Sequence, residues 1–394
     1  MTETHAPAAA VVQASVAPAR SREVAFDVLK GIGIAEVLAH HTLNWSARKF
    51  YEVQSAEWWA HMVLNRLLHF AIPTFLLASA ILLARSLSKH ERPNYRLYAS
   101  RRFAMTVWPY LLWTVLYLGF RVALFDPMAA SQTYTWNLPW GEFTGPSALM
   151  EPKRLAVFFF LGKAHFHLYF MSVLIQLSIA LPFVLIGLRK WKSSFGQTVA
   201  AAAGLQLVFL LINGLWLRSP FPGSMIFSYI PSLMVGVWLG MHWKEWPDVW
   251  SRNKRWFIAL ALGAAIPYLW FSMRALTSAP IPPYVLAVST SIFATSTGLS
   301  LLGYAGTLNP DHRTVRLLSA LGNLSLPLFL IHPILMYFMG GPRAMAVLDA
   351  IPFTPLAAYL ILTGATWLVI QGFIALRLDR LFFGRHFKDP NAPA

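Results

Sequence analysis

HFAIPTFLLASAILLARSLSKHERPNYRLYASRRFAMTVWPYLLW (69–113) holds two apolar runs joined by a basic connection. A helix that crosses a bilayer takes about 20 mostly apolar residues, and each run belongs to a stretch of that size. The connection carries Arg85, Lys89, Arg92, Arg96, Arg101 and Arg102. Lys and Arg collect in cytoplasmic loops, so this connection faces inward. Working outward, the same alternation continues along the chain. Ten apolar stretches fall at roughly 24–44, 61–84, 103–125, 166–188, 196–217, 225–242, 256–273, 282–304, 317–339 and 354–376. The weakest is 225–242, which is short and contains Pro231. With an inward N-terminus, 21 of the 32 Lys and Arg lie in inner segments and 9 in outer loops. An odd number of spans would scramble that bias. The expectation is an all-α integral membrane protein, a polytopic bundle of about ten transmembrane helices with both termini cytoplasmic.

Composition agrees. Of 394 residues, 57% are hydrophobic and 12% charged, against about a quarter charged in soluble domains. That argues against a water-soluble enzyme. The 28 Phe, 16 Trp and 13 Tyr exclude a disordered chain, which lacks such apolar surface. There is no cysteine, so disulfides, zinc–thiolate sites and thiol nucleophiles are excluded. The net charge of +16 suits nucleic acid or a membrane surface. Its spread over short loops favours the lipid bilayer and argues against nucleic acid. Residues 1–22 are Ala/Pro-rich, without a core pattern or a signal-peptide pattern, and read as a disordered cytosolic tail. Residues 23–378 form the transmembrane domain, and 379–394 a second cytosolic tail. The outer loop 126–165, with Trp136 and Trp140, is expected along the outer interface, where Trp is enriched.

Ionisable groups inside spans are costly and often mark function. The first span carries Asp27, Lys30, Glu36, His40 and His41. Asp27, Lys30, Ile34 and His41 share one helical face, while Glu36 and His40, four apart, share another. Asp27 lies about 21 Å along the axis from His41, too far to orient it. Alternating span directions bring Arg66, His69, His165, His167 and His332 to the same outer depth as His40 and His41. Lys30, Arg101 and Arg102 gather at the inner side. The pattern suggests an outer reaction chamber and an inner cationic anchor. Bland explanations compete with it: a histidine at a span end is often only interfacial, Arg66 can snorkel, and the Arg-rich loop can be a pure topology signal. His165 and His167 have no further metal-type ligand nearby in sequence, so no metal site is expected.

FDVLKGIGIAEVLAHH (26–41) resembles the opening of acyltransferase family 3, membrane O-acyltransferases that modify glycans. RRFAMTVWPYLLW (101–113), HFHLYFMSVLIQL (165–177) and LGNLSLPLFLIHPIL (321–335) are similar to later segments of that family, in the same order. In the family pattern the histidine stands eleven residues after the basic residue, which from Lys30 lands on His41. Two departures are visible: Met105 stands where a second arginine is common, and Tyr169 where tryptophan is usual. The resemblance implies transfer of an acyl group, by default acetyl, from cytosolic acyl-CoA to a sugar hydroxyl of a polysaccharide or its lipid-linked precursor. It implies a bacterial inner (plasma) membrane location and, as a partner, polysaccharide synthesis or export machinery.

On this reading acetyl-CoA or another acyl-CoA is a co-substrate, and no cofactor is held. Asp27, Lys30, Arg101 and Arg102 are expected at the CoA site, because phosphates favour cations. His41 is the expected general base, with His40 oriented by Glu36 as its rival. Arg66, His69, His167 and His332 are expected at the oxyanion and acceptor site. A transient acyl-histidine remains open as a second route. A transporter or exporter of glycans or lipid-linked sugars is the alternative function; broken helices at matching positions in two halves would favour it, and no such repeat is visible. A proton-coupled pump ranks below both, since Glu36 alone is acidic well inside a span.

Overall fold

The computed structural model describes residues 9–91, 93–126, 131–351 and 353–387, with side chains from Val24 onward except that of Phe125. Helix α1 runs Ala9–Phe50. It therefore begins inside the segment expected as an N-terminal tail, whose residues 1–8 lie outside the described residues. Helices α2 (Ala56–Leu67) and α3 (Ala71–Ser88) form one apolar path, broken by a tight turn at 68–70. Helix α4 (Tyr95–Arg102) continues through a π-helical turn, Phe103–Val107, into α5 (Trp108–Phe120). The expected interfacial loop is partly ordered as an antiparallel hairpin, β1 (Thr133–Leu138) with β2 (Gly141–Pro146), in which Trp136 faces Phe143. Helices α6 (Ser147–Met150) and α7 (Pro152–Leu161) follow it.

The remaining helices are α8 (Tyr169–Trp191), α9 (Phe195–Ile212), α10 (Ile230–Met241), α11 (Trp246–Leu276) and α12 (Pro283–Ala305). They are followed by α13 (Arg313–Asn323), α14 (Ser325–Met339), α15 (Pro342–Asp349), α16 (Thr354–Ala375) and α17 (Asp379–Phe383). Among the described residues, seven paths are long and apolar enough to cross a membrane, or eight if α13 and α14, bent by 73°, count as one. Ile226–Met241 is apolar but shorter. Helix α1 is not in that set, and Asp27, Lys30, Glu36, His40 and His41 are what lower its hydropathy. The class is the expected all-α polytopic one. Among the described residues, seven of the ten expected stretches meet the length-and-composition criterion, and the bent pair is an eighth.

Two packing features position the site. Helix α1 crosses α13 so closely that a Cβ on Gly31 would collide with the carbonyl of Leu318, and one on Gly322 with that of Asp27. Small residues permit such approach between membrane helices, where packing rather than hydrophobicity drives association. Residues 379–387 of the second expected tail pack against the bundle. Phe383 is fully buried and stacks on Trp113, whose indole N–H donates to the Phe382 carbonyl at 2.9 Å. Asp379, also buried, accepts from the backbone N–H groups of Arg380 and Phe387 at 2.9 and 2.7 Å and pairs with His386 at 2.9 Å. An aromatic run (Leu-Phe-Phe) next to a buried carboxylate has too much to gain from docking to stay in solvent.

Candidate active site

The break between α2 and α3 creates the first element of the site. His69 N–H bonds the carbonyl of Arg66, one residue short of the usual helical partner. That releases the Asn65 carbonyl, which accepts from His40 Nδ1 at 2.9 Å, while Asn65 Nδ2 donates to the His40 carbonyl at 2.7 Å. The Arg66 carbonyl accepts from Tyr268 Oη at 3.0 Å. A carbonyl partner requires a proton on Nδ1 of His40, so a neutral His40 carries its lone pair on Nε2. The rival pairing expected from sequence, His40 with Glu36, does not form. Glu36 lies against the Ala71 backbone N–H at the start of α3, and its Oε2 is buried without a partner.

His332 is held in the same way. Its Nδ1 donates to the Leu328 carbonyl at 3.0 Å. Pro333, the next residue, has no N–H, so α14 also loses its regular bond to the Phe329 carbonyl at this point. Tyr117 Oη satisfies the neighbouring Leu330 carbonyl at 2.7 Å. His332 is fully buried and its Nε2 has no partner. As a neutral ring it offers a lone pair there and no proton. The role of oxyanion donor expected for it therefore does not fit its neutral form.

The third histidine group lies on the turn before α8. Gly162 ends α7 with φ 65°, and a Cβ there would strike the Tyr169 backbone. This turn folds His165 back over His167, with their Nδ1 atoms 3.0 Å apart. One ring donates and the other accepts, so the two have opposite tautomers. His165 stacks on Tyr117 with centroids 4.6 Å apart. His167 is buried, and its Nε2 is without a partner.

His41 joins these groups. Its ring stacks on His332 at 5.3 Å, meets His40 edge-on at 5.2 Å and touches Phe166 at 4.8 Å. His69 lies 5.2 Å from His40, and His167 lies 5.8 Å from His332. His41 makes no hydrogen bond to the protein among the described residues, so both of its ring nitrogens are available. A cavity of about 520 Å³ opens onto this cluster, lined by Glu36, His40, His41, His69, Phe166 and His167 and, on its other walls, by Gln206, Asn213, Tyr229, Tyr284 and Thr290. Arg66 does not line it: the guanidinium is half-buried and its Nε unpaired. Among the described residues no group of three or more His, Cys, Asp or Glu is placed to hold a metal.

The residues of the expected cationic anchor lie at the opposite end. Lys30 pairs with Asp27 at 2.7 Å, as their shared helical face predicts. Arg101 is exposed. Arg102 approaches Met105 Sδ at 3.7 Å beside an apolar groove lined by Tyr98, Phe103, Ile175 and Phe183.

Sequence reasoning missed Asn65, Tyr117 and Gln206, and gave His165 no role. Asn65 and Gln206 were the detectable cases, as single polar residues inside apolar runs.

A sequence model described as an acyltransferase domain matches residues 23–374, nearly the whole chain. The chain belongs to that family, acyltransferase family 3, and is a membrane acyltransferase. No curated protein and no solved structure matches it.

Proposed function

We propose that this member of the family moves an acetyl or other short acyl group from cytosolic acyl-CoA to a sugar hydroxyl of an extracytoplasmic polysaccharide or its lipid-linked precursor, with His41 as general base. The observation that carries the reading is the position of His41. It lines the cavity with both ring nitrogens free, and His332 behind it presents an unpaired lone pair. A sugar hydroxyl is a poor nucleophile at neutral pH, and a positioned base typically contributes about 10²–10⁴-fold.

The hydroxyl oxygen bonds to the thioester carbonyl carbon as His41 takes its proton. The carbonyl oxygen becomes an oxyanion. When that intermediate collapses, the carbon–sulfur bond breaks and the CoA sulfur leaves with the proton held by His41. An oxyanion needs a donor. If the shared Nδ1 proton sits on His165, then His167 carries its own on the buried, unpaired Nε2, and that N–H is free to donate. His69, whose ring faces the cavity, is the second donor. Lys30, Asp27, Arg101 and Arg102 would meet the CoA phosphates at the arginine end. In this orientation that end faces the cytoplasm of a bacterial inner membrane.

The test uses protein in lipid nanodiscs with acetyl-CoA and glycan from the producing cells. Wild type releases CoA thiol and esterifies the glycan. His41→Ala, folded by thermal melting, does neither above background. Activity retained in His41→Ala but lost in His40→Ala would transfer the role to His40. Wild type inert to every acyl-CoA would point to transport instead.

A further inference from the structure

Helix α9 turns Thr198, Ala202 and Gln206 into the bundle, each four residues from the last and so on one face. Thr198 is tied to Ser193 and to the Ser194 carbonyl at 2.8 and 3.0 Å. Gln206 is tied to nothing described. It is 6% exposed, and its Oε1 is buried without a partner. A bare amide inside a span is costly, and this one is not covering a gap in the backbone, since α9 is regular around it.

Gln206 lines the cavity that His40, His41 and His167 also line. It lies midway along its path, Phe195–Leu217, and shares the cavity walls with the histidines. The walls it shares offer hydroxyls and an amide from Ser228, Tyr229, Thr290 and Asn213. Among the described residues no Lys or Arg lines the cavity, and Glu36 is its one carboxyl. A carboxamide that can donate and accept at once matches two neighbouring hydroxyls of a ring. A cavity with a carboxyl and no fixed cation disfavours an anionic sugar.

We infer that Gln206 is a specificity residue of the acceptor subsite, holding the hydroxyls of an uncharged sugar ring beside the one that is acylated. This rests on the acyl-transfer reading above and adds a substrate class and a residue to it. The carboxamide touches the acceptor and not the thioester, so its loss weakens sugar capture relative to water.

The experiment measures two products from acetyl-CoA in nanodiscs: released thiol, and ester on methyl glucoside, methyl mannoside or methyl glucuronoside. Wild type is expected to esterify a neutral glycoside and to leave the glucuronoside unmodified. In Gln206→Leu, KM for the accepted glycoside rises about tenfold with kcat within about twofold, the size expected for a lost buried hydrogen bond. Ester formed per thiol falls in proportion, and Gln206→Asn recovers part of it. A merely structural defect would lower both products together and leave their ratio alone. An unchanged ratio in Gln206→Leu, glucuronoside taken as readily as glucoside, or thiol release with no ester on any neutral glycoside overturns the inference. Should Gln206→Leu fail to fold, Gln206→Asn gives the same comparison at smaller amplitude. If wild type releases no thiol at all, the acyl-transfer reading itself falls, and that result is distinct from the others.

Discussion

In or beside a cavity of about 520 Å³ that opens at the histidine end of the bundle, Glu36, His167, His332 and Gln206 keep polar atoms unpaired. At the other end Lys30 pairs with Asp27, Arg385 donates to the Asn323 carbonyl, and Asp379 has three partners. Natural interiors leave few buried polar groups unsatisfied, so a concentration of them calls for a reason. The contrast separates chemistry from scaffold. The arginine end has unpaired atoms too, on Ser88, Arg102, Trp243 and Ser319, but these sit on separate elements, whereas Glu36, His167 and Gln206 line one cavity and face a ligand there.

Substitutions can break that contrast, and the largest expected effect is at the histidine end. His41→Ala should lower acyl transfer by about 10²–10⁴-fold with the melting temperature kept, read by thiol release beside a thermal melt. Gly31→Val should do the reverse. It forces a side chain into the Leu318 backbone, costs at least about 1–3 kcal/mol, and should show as lost folded protein on size exclusion. An active, monodisperse Gly31→Val would mean that α1 and α13 do not cross as described. Asp379→Ala should cost about 1–3 kcal/mol by stranding the Phe387 N–H, lowering the melting temperature with KM for acyl-CoA unchanged. Lys30→Gln should have the smallest effect, since a half-exposed ion pair is worth under about 1 kcal/mol. That smallness concerns stability; KM for acyl-CoA should still rise in this variant, since at the proposed donor site Lys30 exchanges Asp27 for a CoA phosphate.

Hydropathy and charge made the polytopic α-class legible, because lipid leaves the backbone few alternatives. The histidines were legible as well, since each is an expensive group in an apolar run. Their partners were not. His40 and Glu36 sit four apart and suggest a pair, yet the turn at 68–70 supplies a backbone carbonyl to one and an N–H to the other. Spacing along one helix carries no information about a carbonyl freed on its neighbour. The 73° bend at Leu324 and the docking of α17 were hidden for the same reason, as the tertiary contacts of Phe382 and Phe383 with Trp113 decide the second. Composition could identify Lys30, Arg101 and Arg102 as cations on one side. The partner of Lys30 was legible only from spacing, which puts Asp27 on its face.

Cryo-EM of the protein in nanodiscs with a non-hydrolysable thioether analogue of acetyl-CoA tests the central claim most directly. The account predicts the acyl end inside the histidine cavity, its carbonyl carbon close enough to His41 for a hydroxyl to lie between them at a reactive separation of about 3–3.5 Å. Density for the acyl end in the groove beside Arg102, or anywhere outside that cavity, would contradict it.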